Sequence, residues 1–457
     1  MTKFFNVIKR FAAWKHAWLA AILIGSMILH LGLLWHPNEL VLDEQYYVVA
    51  ARDYLVQGDL HQPEHPPLAK LVITTGMQIF GDNPFGWRFF PAVFGVGAIF
   101  FFYLILRQFP LSQTAVNIAV SLFAFENATF LMASVAMLDI FNVTFMLAGF
   151  WAYLARKYPL AVLFLLLSAL CKLTGLFPVI AIALHWLVFR RDKVLILAIS
   201  GLAAYAGAIL AVPGLEYLLT GDWSNPFSRI NHLFTVPGTI TFENSTHPSA
   251  LHPWQWVLGY YIMPFWWSPQ YLSAVTPTVW AITLPGFAWT SWLAWRRRGE
   301  TAFFAAAWIF ATLVVWIILG AITDRITYIF YFVPIVGGVL LAFALFFDNA
   351  WAWVRGTPRK IRGLMPEGVG IGDRDPIKET NTETNAMTPA GGQTSGDFPP
   401  VPPEEYVHES QPPKPGWWTL VRRRRLFFIG MGLFITIHLG FFLALSPFTN
   451  WWPTNPG

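Results

Sequence analysis

The chain has 457 residues, 56% of them hydrophobic and only 12% charged, about half the charged share usual for a soluble domain. So few charges cannot cover a water-facing surface of this size, which excludes an ordinary soluble enzyme, a disordered chain and a fibrous repeat. The single cysteine, Cys171, excludes a disulfide framework, and no Cys/His spacing suits a zinc site. The composition predicts an all-α, polytopic membrane protein.

Apolar runs that suit about 30 Å of hydrocarbon occur at 17–36, 87–106, 111–126, 137–155, 158–171, 173–189, 194–213, 274–295, 302–320, 327–347 and 425–446. This predicts about eleven transmembrane helices. No small-residue cleavage site follows the first, which reads as a retained anchor. Basic clusters lie at Lys9/Arg10/Lys15, Arg107, Arg156/Lys157, Arg190/Arg191/Lys193, Arg296–Arg298, Arg355–Arg362 and Arg422–Arg425. The positive-inside rule puts them all in the cytoplasm, so an even number of crossings separates neighbouring clusters from Arg107 to Arg355. On that topology six of the 30 Lys and Arg lie outside. The net charge of +5 then reports orientation and contact with anionic inner-leaflet lipid rather than nucleic acid.

Three stretches break the apolar pattern. The outer loop at 37–86 is rich in acids, His and Pro, and two amphipathic pieces, 45–57 and 67–80, are expected to lie along the interface. A second outer stretch, 214–273, is dense in Trp, His, Asn and Pro. Residues 356–416, rich in Pro, Gly, Thr and Glu, bury too little surface to offset ordering entropy and read as a disordered cytoplasmic linker. The expected organisation is a catalytic multi-span domain (1–355), that linker, and a final helix with a short outer tail (417–457). No internal repeat of 20–50 residues is visible.

Polar residues at a membrane edge are costly, so their clustering marks function. VLDEQYY sets Asp43 and Glu44 directly after the first span. PEHPPLAK follows, in which Pro66 and Pro67 fix an extended turn between Glu64/His65 and Lys70. In DNPFGWRFFPAVFG, Asn83 can cap and Pro84 can start a helix, leaving Arg88 one turn inside the boundary; it could bind phosphate there or simply snorkel to headgroups. Asp139 in AMLDIF and Lys172 in CKLTGLF fall on the same outer side. A bland alternative for Asp139 is pairing with a basic neighbour or with the helix N-terminus. The loop HPSALHPWQW, with His252 and Trp254, suits a sugar or acceptor groove, or part of an interfacial aromatic belt.

These motifs, in this order, resemble the dolichyl-phosphate-mannose protein O-mannosyltransferases and, more distantly, the lipid A aminoarabinose transferases, all of them C-type membrane glycosyltransferases. The likeness runs over roughly 30–350: DE, HPPLxK, GWRFFPAVFG, AMLDIF, KLTGLF, HPWQW and RITYIFYFVP. The resemblance implies inverting transfer of a sugar, expected to be mannose, from a polyprenyl-phosphate donor to a hydroxyl, expected to be protein Ser/Thr, on the extracytoplasmic face. It implies Asp43 as base with Glu44 beside it, and Arg88, Lys70 and Lys172 as donor-phosphate ligands. Glu64 occupies the place of the acid before HPP; with His65, Asp139, His252 and Trp254 it is a candidate for sugar or acceptor contact. The chain departs from eukaryotic members because 214–273 is too short for a β-trefoil domain.

No cofactor and no metal ligand is expected, although a divalent metal is left open. Expected partners are the polyprenyl-phosphate-linked donor, a protein or glycan acceptor, membrane lipid and, as an assembly, a dimer. The expected location is the cell membrane, or the endoplasmic reticulum in a eukaryote. The rival readings are transfer from the same donor to a glycan or lipid A-like acceptor, and a secondary transporter or flippase. The last would place charges near the midplane and show repeats.

Overall fold

The computed structural model describes residues 16–56, 64–191, 193–244, 246–267, 271–296, 299–356 and 417–450. The predicted linker, apart from Gly356, lies outside them. Each of the eleven apolar runs coincides with a helix in the described chain. Among the described residues, six helical stretches are long and apolar enough to cross a membrane: Pro84–Leu106, Leu173–Arg190, Val194–Leu218, Glu300–Thr323, Ile329–Val354 and Trp418–Leu445. Shorter apolar helices accompany them, among them α1 (Ala17–Leu33) and α7 (Leu138–Leu154).

The two amphipathic pieces of the first outer loop form α2 (Glu44–Val56) and α3 (Leu68–Phe80). The loop then turns at 81–83 into α4 (Pro84–Leu106), whose start follows the sequence signals: Asn83 accepts a hydrogen bond from the Gly86 amide and Pro84 occupies the first turn. Helix α7 is buried along nearly its whole length and packs against α4 and α8 (Tyr158–Cys171). This trio and the late helix α16 (Val333–Val354) hold the centre of the apolar core.

Helices α3 and α4 meet backbone to backbone. A Cβ on Gly76 would lie 2.3 Å from the Gly86 carbonyl oxygen, and one on Gly86 would lie 2.1 Å from that of Gly81. Only glycine allows this approach, and it fixes the helix carrying Lys70 against the helix carrying Arg88. The other polar segments gather at the same end of the helix array. There, residues 240–242 and Leu251 bridge the segment 325–327, with the Ile326 amide on the Ile240 carbonyl and the Leu251 amide on the Thr327 carbonyl. The Gly86→Val variant is expected to lose about 1–3 kcal/mol to overpacking, seen as a lower midpoint of thermal unfolding in detergent than for the wild type.

Candidate functional site

The two adjacent acids after α1 have different surroundings. Glu44 is fully buried and accepts hydrogen bonds from the Val41 amide (2.9 Å), the Ala136 amide (2.7 Å), Arg88 Nε (2.8 Å) and Arg88 Nη2 (2.7 Å). Arg88 is equally buried. Its remaining N–H groups go to the carbonyls of Leu34 (3.3 Å), Pro37 (2.7 Å) and Glu39 (2.9 Å). A guanidinium has five N–H groups, and all five are spent on Glu44 and the loop after α1. The phosphate role expected of Arg88 is therefore corrected: no donor is left for a ligand. The same clamp commits the oxygens of Glu44 to the Arg88 side chain and to the amides of two loops, so that Glu44 holds the chain next to Asp43.

Asp43 is held differently. Leu42 before it has φ of +48°, a left-handed conformation costly for a bulky side chain, while the Asp43 carbonyl accepts the amides of Tyr46 (2.9 Å) and Tyr47 (3.0 Å) that start α2. Its half-buried carboxylate makes no hydrogen bond or ion pair among the described residues. Burial pushes the Asp43 carboxyl up to about 6; the positive charge of Lys172 opposes the rise and the negative charge of Asp139 adds to it.

Asp139, in the first turn of α7, receives Lys172 Nζ on Oδ1 at 2.8 Å, so the pairing alternative read from the sequence is the geometry found. Its buried Oδ2 has no hydrogen-bond partner. Lys172 sits 4.2 Å from the centroid of the Tyr331 ring, and Asn142 fixes the turn by donating to the carbonyls of Ser168 (2.9 Å) and Lys172 (3.0 Å). His65 packs edge-on to Tyr47, 5.9 Å between centroids. Burial, reinforced by the charges of Lys172, Lys70 and Arg325, holds the His65 imidazole well below its usual pKa. It is neutral at pH 7.

A second charged group adjoins the first. Lys70 is fully buried, and burial lowers its pKa to about 8; the charge of Glu64 opposes the fall, and Arg229 and Glu216 also act on it. Arg229, in α11 (Pro226–Gly238), donates to Glu216 through Nε (2.9 Å) and Nη2 (2.8 Å). Asn225 caps that helix by accepting the amides of Phe227 and Ser228, and a cavity of about 350 Å³ there is lined by Ser224, Asn225, Ser228, Arg229 and His232. Sequence reasoning missed Arg229, which stands on the short helix α11 with no motif around it, and did not single out Arg325, although that residue opens the RITYIFYFVP stretch.

The remaining candidates divide. His252 is sandwiched between Phe242 (4.0 Å between centroids) and Trp254 (4.4 Å). Both faces of its ring are covered, Trp254 forming one plate of the stack, while its buried Nδ1 has no hydrogen-bond partner. Among the described residues, no group of three or more His, Cys, Asp or Glu is arranged to hold a metal ion.

Residues 19–246 match the sequence profile of the dolichyl-phosphate-mannose-protein mannosyltransferases. The chain belongs to this family. The match takes in Asp43, Glu44, Glu64, Lys70, Arg88, Asp139, Lys172 and Arg229, and leaves Arg325 outside. A polyprenol-phosphate-mannose–protein mannosyltransferase of Corynebacterium glutamicum is 24% identical over 71% of this chain and 80% of its own. Its namesake from Mycobacterium tuberculosis is 31% identical over 34% of this chain and 31% of its own. Among solved structures, ArnT of Cupriavidus metallidurans in the apo state superposes with a TM-score of 0.52 at 19% identity, covering 73% of this chain and 60% of that one. The multi-span glycosyltransferase fold expected from the motifs is thus the fold observed.

Removing one partner of a buried ion pair strands the other. Arg88→Ala and Glu44→Leu are each expected to lower stability by about 3–5 kcal/mol, read as a lower unfolding midpoint with no donor present. A residue acting only as a phosphate ligand would leave that midpoint unchanged.

Proposed function

We propose that this chain transfers mannose from a polyprenyl-phosphate donor to a Ser or Thr hydroxyl of a protein, at the end of the helix array where the outer loops converge. Family membership and the names of the relatives support the donor and the acceptor. The observation that carries the chemistry is the contrast within the acid pair. Glu44 is consumed by the Arg88 clamp, whereas Asp43 presents an uncommitted carboxylate beside the Asp139–Lys172 pair.

In this reading Asp43 is the general base. The acceptor oxygen forms its bond to the anomeric carbon as its proton passes to Asp43, and the bond from that carbon to the phosphate oxygen breaks with its electron pair going to phosphate. A base with a pKa near the working pH is both deprotonated and able to take a proton, and the value of about 6 meets both demands. Asp139, with its unpartnered Oδ2, is assigned to a sugar hydroxyl, and Lys172 holds it in place. Lys70 and Arg229 form the phosphate end of the site, each balanced by an acid, Glu64 and Glu216. His65, neutral and packed on Tyr47, shapes the cleft without adding charge. The prenyl tail lies among the apolar helices, which accounts for a sugar transferase built inside a membrane.

By the positive-inside argument this end of the array faces the extracytoplasmic side. At the opposite end, the Arg190–Glu300 pair (2.8 Å) joins two loops assigned to the cytoplasm. The Asp43→Asn variant is expected to fold and to lose about 10²- to 10⁴-fold of its transfer rate, measured as passage of radiolabelled mannose from polyprenyl-phosphate-mannose to a Ser/Thr peptide. Wild-type rates in that variant would remove Asp43 as the base. Transfer by the wild type to a glycan or lipid, with none to peptide, would overturn the acceptor.

A further inference from the structure

Among the described residues, the cations at this end are matched by acids, with one exception. Arg52 pairs with Asp82 at 2.8 Å, Arg88 with Glu44, Lys172 with Asp139 and Arg229 with Glu216, while Lys70 lies in the field of Glu64. Arg325 makes no hydrogen bond or ion pair among the described residues, and its Nε is buried without a partner. It is half-buried, and it is held in place by its backbone. Residue 325 bridges Thr241, while the neighbouring Ile326 amide donates to Ile240 and the Asp324 carbonyl accepts the Phe242 amide. Its charge reaches His65, as do those of Lys172 and Lys70, so it stands at the same cleft.

Leaving a guanidinium half-buried and unmatched is costly unless an anion completes it. The transfer reaction supplies one. The donor is a phosphodiester with a single negative charge, and breaking its bond to the sugar leaves a monophosphate with one charge more. The acid-paired cations balance the resting site, and the additional charge needs an additional cation. We propose that Arg325 is a catalytic residue that binds the phosphate of the polyprenyl donor as its leaving charge develops, an assignment that rests on the transferase reading above. A guanidinium suits this task because its fork can offer two N–H groups to two phosphate oxygens. A preorganised donor aimed at charge formed in the transition state typically contributes about 10²- to 10³-fold to the rate.

The test uses the full chain in lipid nanodiscs and measures two quantities for the wild type, Arg325→Gln and Arg325→Lys: mannose transfer, and binding of undecaprenyl monophosphate. Arg325→Gln is expected to lose about 10²-fold in kcat and to bind the monophosphate more weakly, by a larger factor than it loses for the mannosylated donor. Arg325→Lys should recover part of both. An Arg325→Gly variant should regain transfer when guanidinium ion is added, a readout that a merely structural residue would not give. Should Arg325→Gln fold poorly, the Lys variant and the guanidinium rescue still decide the matter. Unchanged kcat and monophosphate affinity in Arg325→Gln, or a folded Gly variant that guanidinium does not rescue, would overturn the role of Arg325 and leave the transferase reading intact. A wild-type chain that neither binds the monophosphate nor transfers mannose would overturn both.

Discussion

One buried guanidinium determines where the outer loops lie. Arg88 projects from the first turns of α4 and gathers three carbonyls of the loop after α1 together with both oxygens of Glu44, while Glu44 reaches onward to the Ala136 amide just before α7. A charge inside a membrane protein persists only if it is fully answered, and this one is answered by segments 44 and 54 residues away. The consequence falls on Asp43. With its neighbours on both sides pinned, the chain passes through the left-handed conformation at Leu42 and leaves Asp43 at the start of α2 with its carboxylate unspent. The Asp43 carboxylate thus stays available because the residue next to it is occupied.

The same logic of matched and unmatched charge organises the cleft. Low dielectric makes each unbalanced ion expensive, so ion pairs hold Asp139 to Lys172 and Arg229 to Glu216. A neutral imidazole, His65, packs on a buried phenol, Tyr47, within reach of the Lys172 charge. Transfer of a sugar off a phosphate moves one negative charge onto the leaving group and one proton onto the base. A site that, among the described residues, leaves one carboxylate and one guanidinium without a partner at rest is suited to that redistribution.

Much of the fold was legible in the sequence. Hydrophobic run lengths located the helices, and the two amphipathic pieces of the first outer loop formed α2 and α3 as their composition implied. The Asn83–Pro84 start was readable because caps are local. Residues picked out by the motifs, Asp43, His65, Lys70, Asp139 and Lys172, come from separate segments and lie within reach of one another's charge. The division of labour among them was not readable. Whether Arg88 faces a ligand or a partner depends on carbonyls that carry no side-chain signature, and adjacent acids in sequence cannot be ranked without knowing which one an arginine 44 residues away will take. His252 looked available until its loop folded it between two rings. Arg229 gave no local signal, since its place is set by a helix cap, and Arg325, although it opens the RITYIFYFVP stretch, is placed by isolated β-bridges that the sequence does not mark.

If Asp43, raised by burial and uncommitted, takes the acceptor proton, the pH dependence of kcat/KM for mannose transfer must report its ionisation. The base must be ionised, and its pKa stands above the ordinary carboxylate range at about 6, so the rate should be constant above that value and fall tenfold per pH unit below it. An acid limb centred near pH 6 is the predicted result. A profile that stays flat down to pH 4, or one whose limb is unchanged by Asp43→Glu, would contradict it.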